Sequence, residues 1–557
     1  MEVVALVLEN TCINSFNVAL IESPMLSIIL RFLWVYVSIV FISISCSPAY
    51  RITQAIDEKP SYNGVYVIKD DVDLNGRTIS FPDGCTIVFK GGTLRNGTIV
   101  GNNTKMKYRK HCLDRIDIKG TWLVPVIKST IFTTNDFYNI RNLSNFQNES
   151  IHNDIIISKG EYHINTNDQR TAFLLKSNTR LQLDGTLIMD PQMNENFYNG
   201  YYAIYIYGAH DVVVEGKGTI IGDLGRSGIS SEYGHGICVF ASENVILSGV
   251  TIKDVQGDGV VVSKNNKNVK ITNMAIERYH RNGISIIDGE DIQVRRITVR
   301  NGGGTEPFAA IDVEPNECDS IYNVSIKHLY IYDCGVGIAG YVPKNAIADN
   351  IYYDDVRMSG ITRCCMNSAN FSHLTINNVV VENCKDDVQI MRFIGDEHLS
   401  LNKVTVDARN NKAKYPFYID SAETVFKDCS LNCPQLFSFH LANASFVDTR
   451  FSYDSFIWTA THLTNKNLSF VSCEFDGPLF IRPDNVSFKN CVFKSGSPLK
   501  PYIVCFEEPT GDTSLESSVI MENNTFQVKS NATIESALKN TVRNSSIGKV
   551  RLKQKKM

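Results

Sequence analysis

From residue 244 onward the chain is written in short blocks of alternating apolar and polar residues, and the blocks repeat. NVILSGVTI (244–252), NVKITNMAI (268–276), DIQVRRITV (291–299), NVSIKHLYI (323–331), NIYYDDVRM (350–358), HLTINNVVV (373–381) and HLSLNKVTV (398–406) each read as strand, polar corner, strand. LSFVSCEF (468–475) and NVSFKNCVF (485–493) continue the series. The recurrence is mostly about 20–30 residues, the range of solenoid repeats. A second set of shorter blocks lies between them: YAIYIYG (202–208), HGICVFA (235–241), DGVVVSK (258–264), NGISIID (282–288), AAIDVEP (309–315) and VGIAGYV (336–342). The glycine or alanine near the start of each suits a tight turn into a strand.

Several short strands per repeat, with few helical stretches, predict an all-β fold. The architecture expected is a right-handed parallel β-helix, a single elongated solenoid with an N-terminal β cap. A leucine-rich solenoid is the rival, but its leucine spacing is absent. Ile237, Val260, Ile284, Ile311 and Ile338 form the expected inward ladder. Roughly a dozen coils rising about 4.8 Å each would make a rod on the order of 60 Å. Along the chain, 60–130 reads as the cap or opening coils, 135–410 as the core with a groove, and 411–530 as further coils without polar clusters. Residues 135–149 suggest a short helix, 531–557 read as a tail, and KVRLKQKKM from Lys549 reads as its basic, solvated end.

Aligning the second set of blocks on its inward ladder stacks the outward positions. One outward row reads Tyr202, His235, Asp258, Asn282, Ala309; the next Tyr205, Cys238, Val261, Ser285, Asp312, Ala339; the third Tyr207, Phe240, Ser263, Ile287, Glu314, Tyr341. Dispersed residues thereby collect into one patch. Asp258, Asp312 and Glu314 bring carboxylates; His235, His280 and Arg281 bring donors or a cation; Asn282 adds an amide. Tyr205, Tyr207, Tyr233, Phe240 and Tyr341 bring flat apolar faces. Rings pack on sugar C–H faces while polar side chains read hydroxyls, so the patch suits a polysaccharide. The excursions 222–235 and 301–308 are candidate groove walls.

Glycoside hydrolysis takes one carboxylic acid to protonate the leaving oxygen and one carboxylate to activate water or attack. Residues i and i+2 of a strand lie about 6.5–7 Å apart, and two coils span about 10 Å. Both spacings lean toward the inverting range of about 6.5–9.5 Å. Glu314 is the expected acid, with Asp312 or Asp258 as base. Against this stands the plain alternative that outward strand residues of a β-helix are polar anyway.

Composition narrows the picture. With 43% hydrophobic and 20% charged residues the chain is a folding one. A net charge of −4 gives no electrostatic case for nucleic acid. Residues 1–46 read as a signal region: FLWVYVSIVFISIS (32–45) has the length of a signal-peptide apolar core, and Met25 is the expected true start. Cys46 after Ser43-Ile44-Ser45 resembles a permissive lipobox. The expectation is export, either secreted or held in the periplasm or outer membrane by an N-terminal lipid as the sole membrane contact. Cys334, Cys384, Cys429, Cys473 and Cys491 recur in similar settings and read as small residues buried at equivalent corners. No CxxC pair or His cluster has zinc-ligand spacing, so no metal site is expected.

The segment YHRNGISIIDGEDIQVRRITVRNGGGTEPFAAIDVEPN (279–316) resembles right-handed β-helix proteins of the pectin-lyase-like superfamily, bacterial and phage-type. In those a coil with R-Q-G-I-S-I is followed by G-T-x-P-x-A-G-I-D-I-E-P-N. Here Arg281 matches, Asn282 stands in place of glutamine and Ala310 in place of glycine. Residues 63–104 resemble the opening of exported β-helix proteins of Bacteroidetes type. The resemblance implies a glycan substrate and polysaccharide cleavage. The polygalacturonase signature is absent: GDG (257–259) keeps one aspartate only. The expectation is a glycoside hydrolase without cofactor. One alternative is a lyase acting on uronate, with Arg281, His280 or Lys264 as base and Ca²⁺ on the three carboxylates. The other is a glycan-binding surface protein without catalysis.

Overall fold

The computed structural model describes residues 49–51 and 64–453, apart from 169, 198, 229–231 and 435–436, and several stretches beyond: 465–477, 479–481, 483–494, 502–506, 519–527, 533–536 and 551–554. The expected signal region, with Met25 and Cys46, lies outside the described residues, as do 229–231 of the first excursion. Among the described residues no helix is long and apolar enough to cross a membrane.

The chain winds as a right-handed parallel β-helix. Every strand pairing of the long ladder is parallel, and each strand bonds to its equivalent one coil earlier and one coil later. The strands that matter for function share one face of the helix: β1 (Thr171–Leu175), β2 (Tyr201–Tyr207), β3 (Gly234–Phe240), β4 (Val260–Ser263), β5 (Ile284–Ile286), β6 (Ala309–Val313), β7 (Val336–Gly340), β8 (Cys364–Ala369) and β9 (Gln389–Ile394). The remaining strands of each coil close the other faces, and from Gly289 onward they fuse into single bent strands such as Gly289–Arg300 and Ser320–Tyr332.

The predicted inward ladder is the observed one. Ile237, Val260, Ile284, Ile311 and Ile338 pair in register and are buried. Each such side chain contributes about 1.5–3 kcal/mol by leaving water, and Ile284→Ala would cost about 2–5 kcal/mol. Toward the C-terminus phenylalanines take over: Phe446, Phe470 and Phe488 stack with centroids 4.5 and 4.8 Å apart.

The polar corners have a backbone cause. Asn244, Asn268, Asp291, Asn323 and Asn350 all sit at positive φ, which Asn and Asp tolerate better than other residues carrying a Cβ. Their side chains then bond from coil to coil, as Asn268 Nδ2 does to Asn244 Oδ1 at 2.8 Å. Cys334, Cys429, Cys473 and Cys491 are buried at such corners. Cys384 is half-buried, with its sulfur 3.3 Å from that of Cys365.

A separate seven-stranded parallel sheet, Ala49–Arg51 to Leu113–Leu123, precedes the long ladder. The helix α1 (Phe137–Arg141) and a 3₁₀ turn (Asn142–Phe146) follow it. Asp136 caps α1 by accepting the Asn139 N–H at 3.0 Å. Asn139 and Asn142 accept the N–H groups of Arg115 and Ile118 at 2.9 and 3.1 Å, tying the helical segment to the sheet. Phe146 packs edge-on against Trp122, 5.5 Å between centroids. Within the expected tail, Arg551–Gln554 is a strand pairing with Thr533–Ser536 in a small parallel sheet with Tyr502–Phe506.

Candidate active site

The outward rows stack as the alternation predicts. Tyr205, Cys238, Val261, Ser285, Asp312 and Ala339 pair in register through β2 to β7. Most residues on this face are nevertheless buried: Cys238, Ser285 and Asp312 expose 0, 1 and 3%. Side chains of neighbouring coils and turns cover them, which sequence alternation does not reveal.

Asp258 stands at the turn into β4 between two glycines. A Cβ on Gly257 would lie 2.7 Å from His235 Nδ1, and one on Gly259 2.7 Å from the Gly283 carbonyl oxygen. The missing side chains let Asp258 settle between coils, fully buried. Its carboxylate accepts the Asn282 N–H at 2.9 Å, the Ser285 hydroxyl at 2.9 Å and Arg281 Nη1 at 3.0 Å. Its own N–H donates to His235 Nδ1 at 2.9 Å. That nitrogen therefore has no proton to offer the Asp258 carboxylate 3.8 Å away. Burial pushes His235 down to about 4, so the ring is neutral.

Asn282 carries the network onward. Its amide donates to Ser285 Oγ at 3.0 Å and to Asp312 Oδ2 at 3.1 Å, while its oxygen accepts the Ala309 N–H at 3.0 Å. Asp312 and Glu314 are close enough for the charge of Glu314 to act on the Asp312 carboxyl. Burial drives the Asp312 carboxyl well above the usual range, and the neighbouring Glu314 charge adds to this. Glu314 is also raised by burial, with the Arg281 charge holding it back. Both carboxyls therefore take up a proton more readily than ordinary acids do.

Three expectations change. Asp258 was a candidate base, but its oxygens are taken by three donors away from water, so it anchors Arg281 instead. Asn282 and His235 were candidate substrate contacts, yet they expose 0 and 6% and are occupied within the protein.

Arg281 is the charge at the centre. Besides Asp258 it faces Glu232, Nε to Oε2 3.7 Å, and its pKa is raised: burial opposes the rise, while Asp258, Asp312 and Glu232 drive it. Glu232, missed from sequence, lies in the 222–235 excursion, where no strand register announces position. That excursion is held by Asp223, whose carboxylate accepts the buried Tyr201 hydroxyl at 3.0 and 3.1 Å.

The aromatic residues form a continuous platform beside the network. Tyr202 stacks on Tyr205 at 4.8 Å and on His235 at 6.0 Å; Tyr205 stacks on Tyr207 at 5.6 Å. Phe240 meets Tyr205 edge-on at 5.6 Å, with Lys264 Nζ 5.5 Å over its ring. Tyr233 meets His235 edge-on at 6.2 Å. Tyr202 was not singled out from sequence, although it stood in the aligned row. On the other side of the carboxylates Arg363 lies 3.7 Å over the Phe308 ring. Tyr341 is half-exposed past the end of β7. His280 packs against the 301–308 turn, where a Cβ on Gly304 would come within 2.2 Å of it. Neither joins the hydrogen-bonded network among the described residues. Nor does any group of three or more His, Cys, Asp or Glu there have the geometry of a metal site.

Residues 192–317 match a family model described as a right-handed β-helix region. The uncharacterized protein YclG of Bacillus subtilis (strain 168) is 29% identical over 190 residues, 30% of this chain and 32% of the relative. The chain spans about a third of the length of the curated relatives it matches. A double mutant of the tailspike protein of E. coli bacteriophage HK620 is similar over 72% of this chain and 74% of the tailspike, with 12% identity and a TM-score of 0.39. An endo-xylogalacturonan hydrolase from Aspergillus tubingensis is similar over 70% of this chain and 91% of that enzyme, with 11% identity and a TM-score of 0.25. The likeness to these structures is one of coil architecture.

Proposed function

We propose that the protein is a glycan-cleaving hydrolase whose acid–base unit is the Asp312–Glu314 pair. The observation that carries this is geometric: two neighbouring carboxyls withdrawn from water beside Arg281, both raised by burial, on the face that bears an aromatic platform. A glycan chain stacks on Tyr202, Tyr205 and Tyr207. Glu314, half-buried at the groove edge, exchanges the proton with the glycan, and Asp312, buried behind it, tunes that exchange. Asp258, Asn282 and Ser285 hold Asp312 and Arg281 in place. Arg281, tied into an ion pair with Asp258, is engaged as a charge rather than free as a base.

The test is a glycan panel with product mass analysis on the wild type, Asp312→Asn and Glu314→Gln. Products gained with one water, lost in both variants, support the reading. Unsaturated products would mean a lyase, binding without turnover a glycan-binding protein, and full activity in both variants would end the proposal.

A further inference from the structure

The outward row does not stop at the aromatic platform. Leu174 of β1 pairs with Tyr205, one coil further toward the N-terminus. There a groove of about 710 Å³ opens between β1, β2 and α1, with Tyr205 and Tyr207 on its wall. By register Tyr205 stands four coils from Asp312, about 19 Å at strand spacing.

The groove is strongly basic in a chain of net charge −4: Lys119, Arg141, Arg170 and Lys176 line it against the single carboxylate of Asp117. That carboxylate is already engaged. Arg141 lies 4.0 Å from it, and burial, with the Asp117 charge nearby, raises Tyr138 to about 12. Arg141 is also oriented by the rings of Phe137 and Tyr138, 5.3 and 5.4 Å away, and Arg170 by Phe197 at 5.8 Å. No carboxylate lies within ion-pair distance of Lys119, Arg170 or Lys176 among the described residues. Solvated lysines on a convex surface need no explanation. Two arginines stacked on rings and aimed, with lysines, into a concavity that continues a sugar-stacking row do.

We infer that this groove is a distal subsite for an anionic sugar residue of the bound glycan. The reading rests on the proposed glycan-binding role of the same face. The recognised chemistry is a negatively charged substituent, a carboxylate or a sulfate ester, held by charge-assisted hydrogen bonds from Arg141 and Arg170 while its ring packs on Tyr207. It predicts action on chains long enough to bridge the four coils, with the acidic residue well away from the bond that breaks.

The experiment measures binding apart from turnover, in the full chain carrying Glu314→Gln. Probes are carboxylated oligosaccharides, their carboxyl-reduced counterparts and sulfated oligosaccharides, each by calorimetry at two salt concentrations. The comparison is with the same chain carrying R170Q and K176Q, both at exposed positions, with thermal melts to confirm an unchanged fold. The expected result is acidic probes preferred over neutral ones, binding that weakens with salt, and a loss of at least about tenfold in the R170Q/K176Q chain. The carboxylated and sulfated arms distinguish the two anions. Equal binding of reduced and acidic probes, or acidic binding untouched by R170Q/K176Q, overturns the subsite even if hydrolysis is confirmed. Acidic binding that depends on Arg170 and Lys176, in a chain whose wild type never hydrolyses a glycan, keeps the subsite and removes the catalytic reading.

Discussion

Replacing Arg281 by methionine tests the electrostatic frame of the site. The Asp258 side chain is 1% exposed and that of Arg281 21%, with Nη1 3.0 Å from Oδ2. Methionine keeps much of the aliphatic stem and removes the charge. Asp258 would then be a buried carboxylate holding only the Asn282 N–H and the Ser285 hydroxyl. Breaking one side of a buried pair costs about 3–5 kcal/mol, mostly through the charge left behind. Asp258→Asn in the same chain removes that charge, and its amide oxygen still accepts both remaining donors. D258N/R281M should therefore recover about 2–3 kcal/mol relative to R281M alone. Urea denaturation at pH 8 reads both effects. A loss below about 0.5 kcal/mol in R281M, or a double variant weaker than either single one, would refute the reasoning.

Four further outcomes follow. Because burial raises both Asp312 and Glu314, the rate should fall on the acid side, as Glu314 takes up a proton, at a pH above the ordinary glutamate range; a pH–rate profile with an acid limb near 4 would contradict this. D312N should abolish activity yet equal or exceed the wild type in thermal stability at pH 8 and lose that advantage at pH 4, since folding then no longer requires proton uptake; differential scanning fluorimetry checks both. Asp396 is raised to about 6 by burial, so it favours the fold below about 4 and the gain is lost as pH rises through 6; D396N should be more stable than wild type by up to about 3 kcal/mol at pH 8 and no more stable at pH 4, read by urea melts. Tyr201→Phe strips a donor from the buried Asp223 and should cost about 1–3 kcal/mol by the same assay.

The coil register was legible because it depends on a period of two and an apolar interior. Ile237, Val260, Ile284, Ile311 and Ile338 could occupy only the inward side, and fixing them fixed Asp312 and Glu314 as outward. What alternation leaves open is how deep an outward residue lies. Asp258, Asn282 and Asp312 read as surface, yet each is covered by neighbouring coils, and that depth changes their chemistry from solvated acid to anchor, bridge and proton carrier. Glu232 and the basic groove escaped because one lies in a turn and the other needs the row carried one coil back, to Leu174 and its flanks Arg170 and Lys176.

The depth of these residues also weighs against decoration. A solenoid can keep an outward acid in contact with water at almost no cost, as Glu290 and Asp349 show, 43 and 35% exposed and each paired with a surface partner. Asp312 and Glu314 are instead desolvated together, and two neighbouring acids out of water oppose folding at neutral pH. The fold then offsets part of that cost with Arg281, itself held by a third buried acid. An arrangement that lowers stability, and needs three coils to maintain it, makes sense where a proton must be kept available beside a platform for sugar rings. The same three coils would be simpler and more stable with asparagine and glutamine in those places.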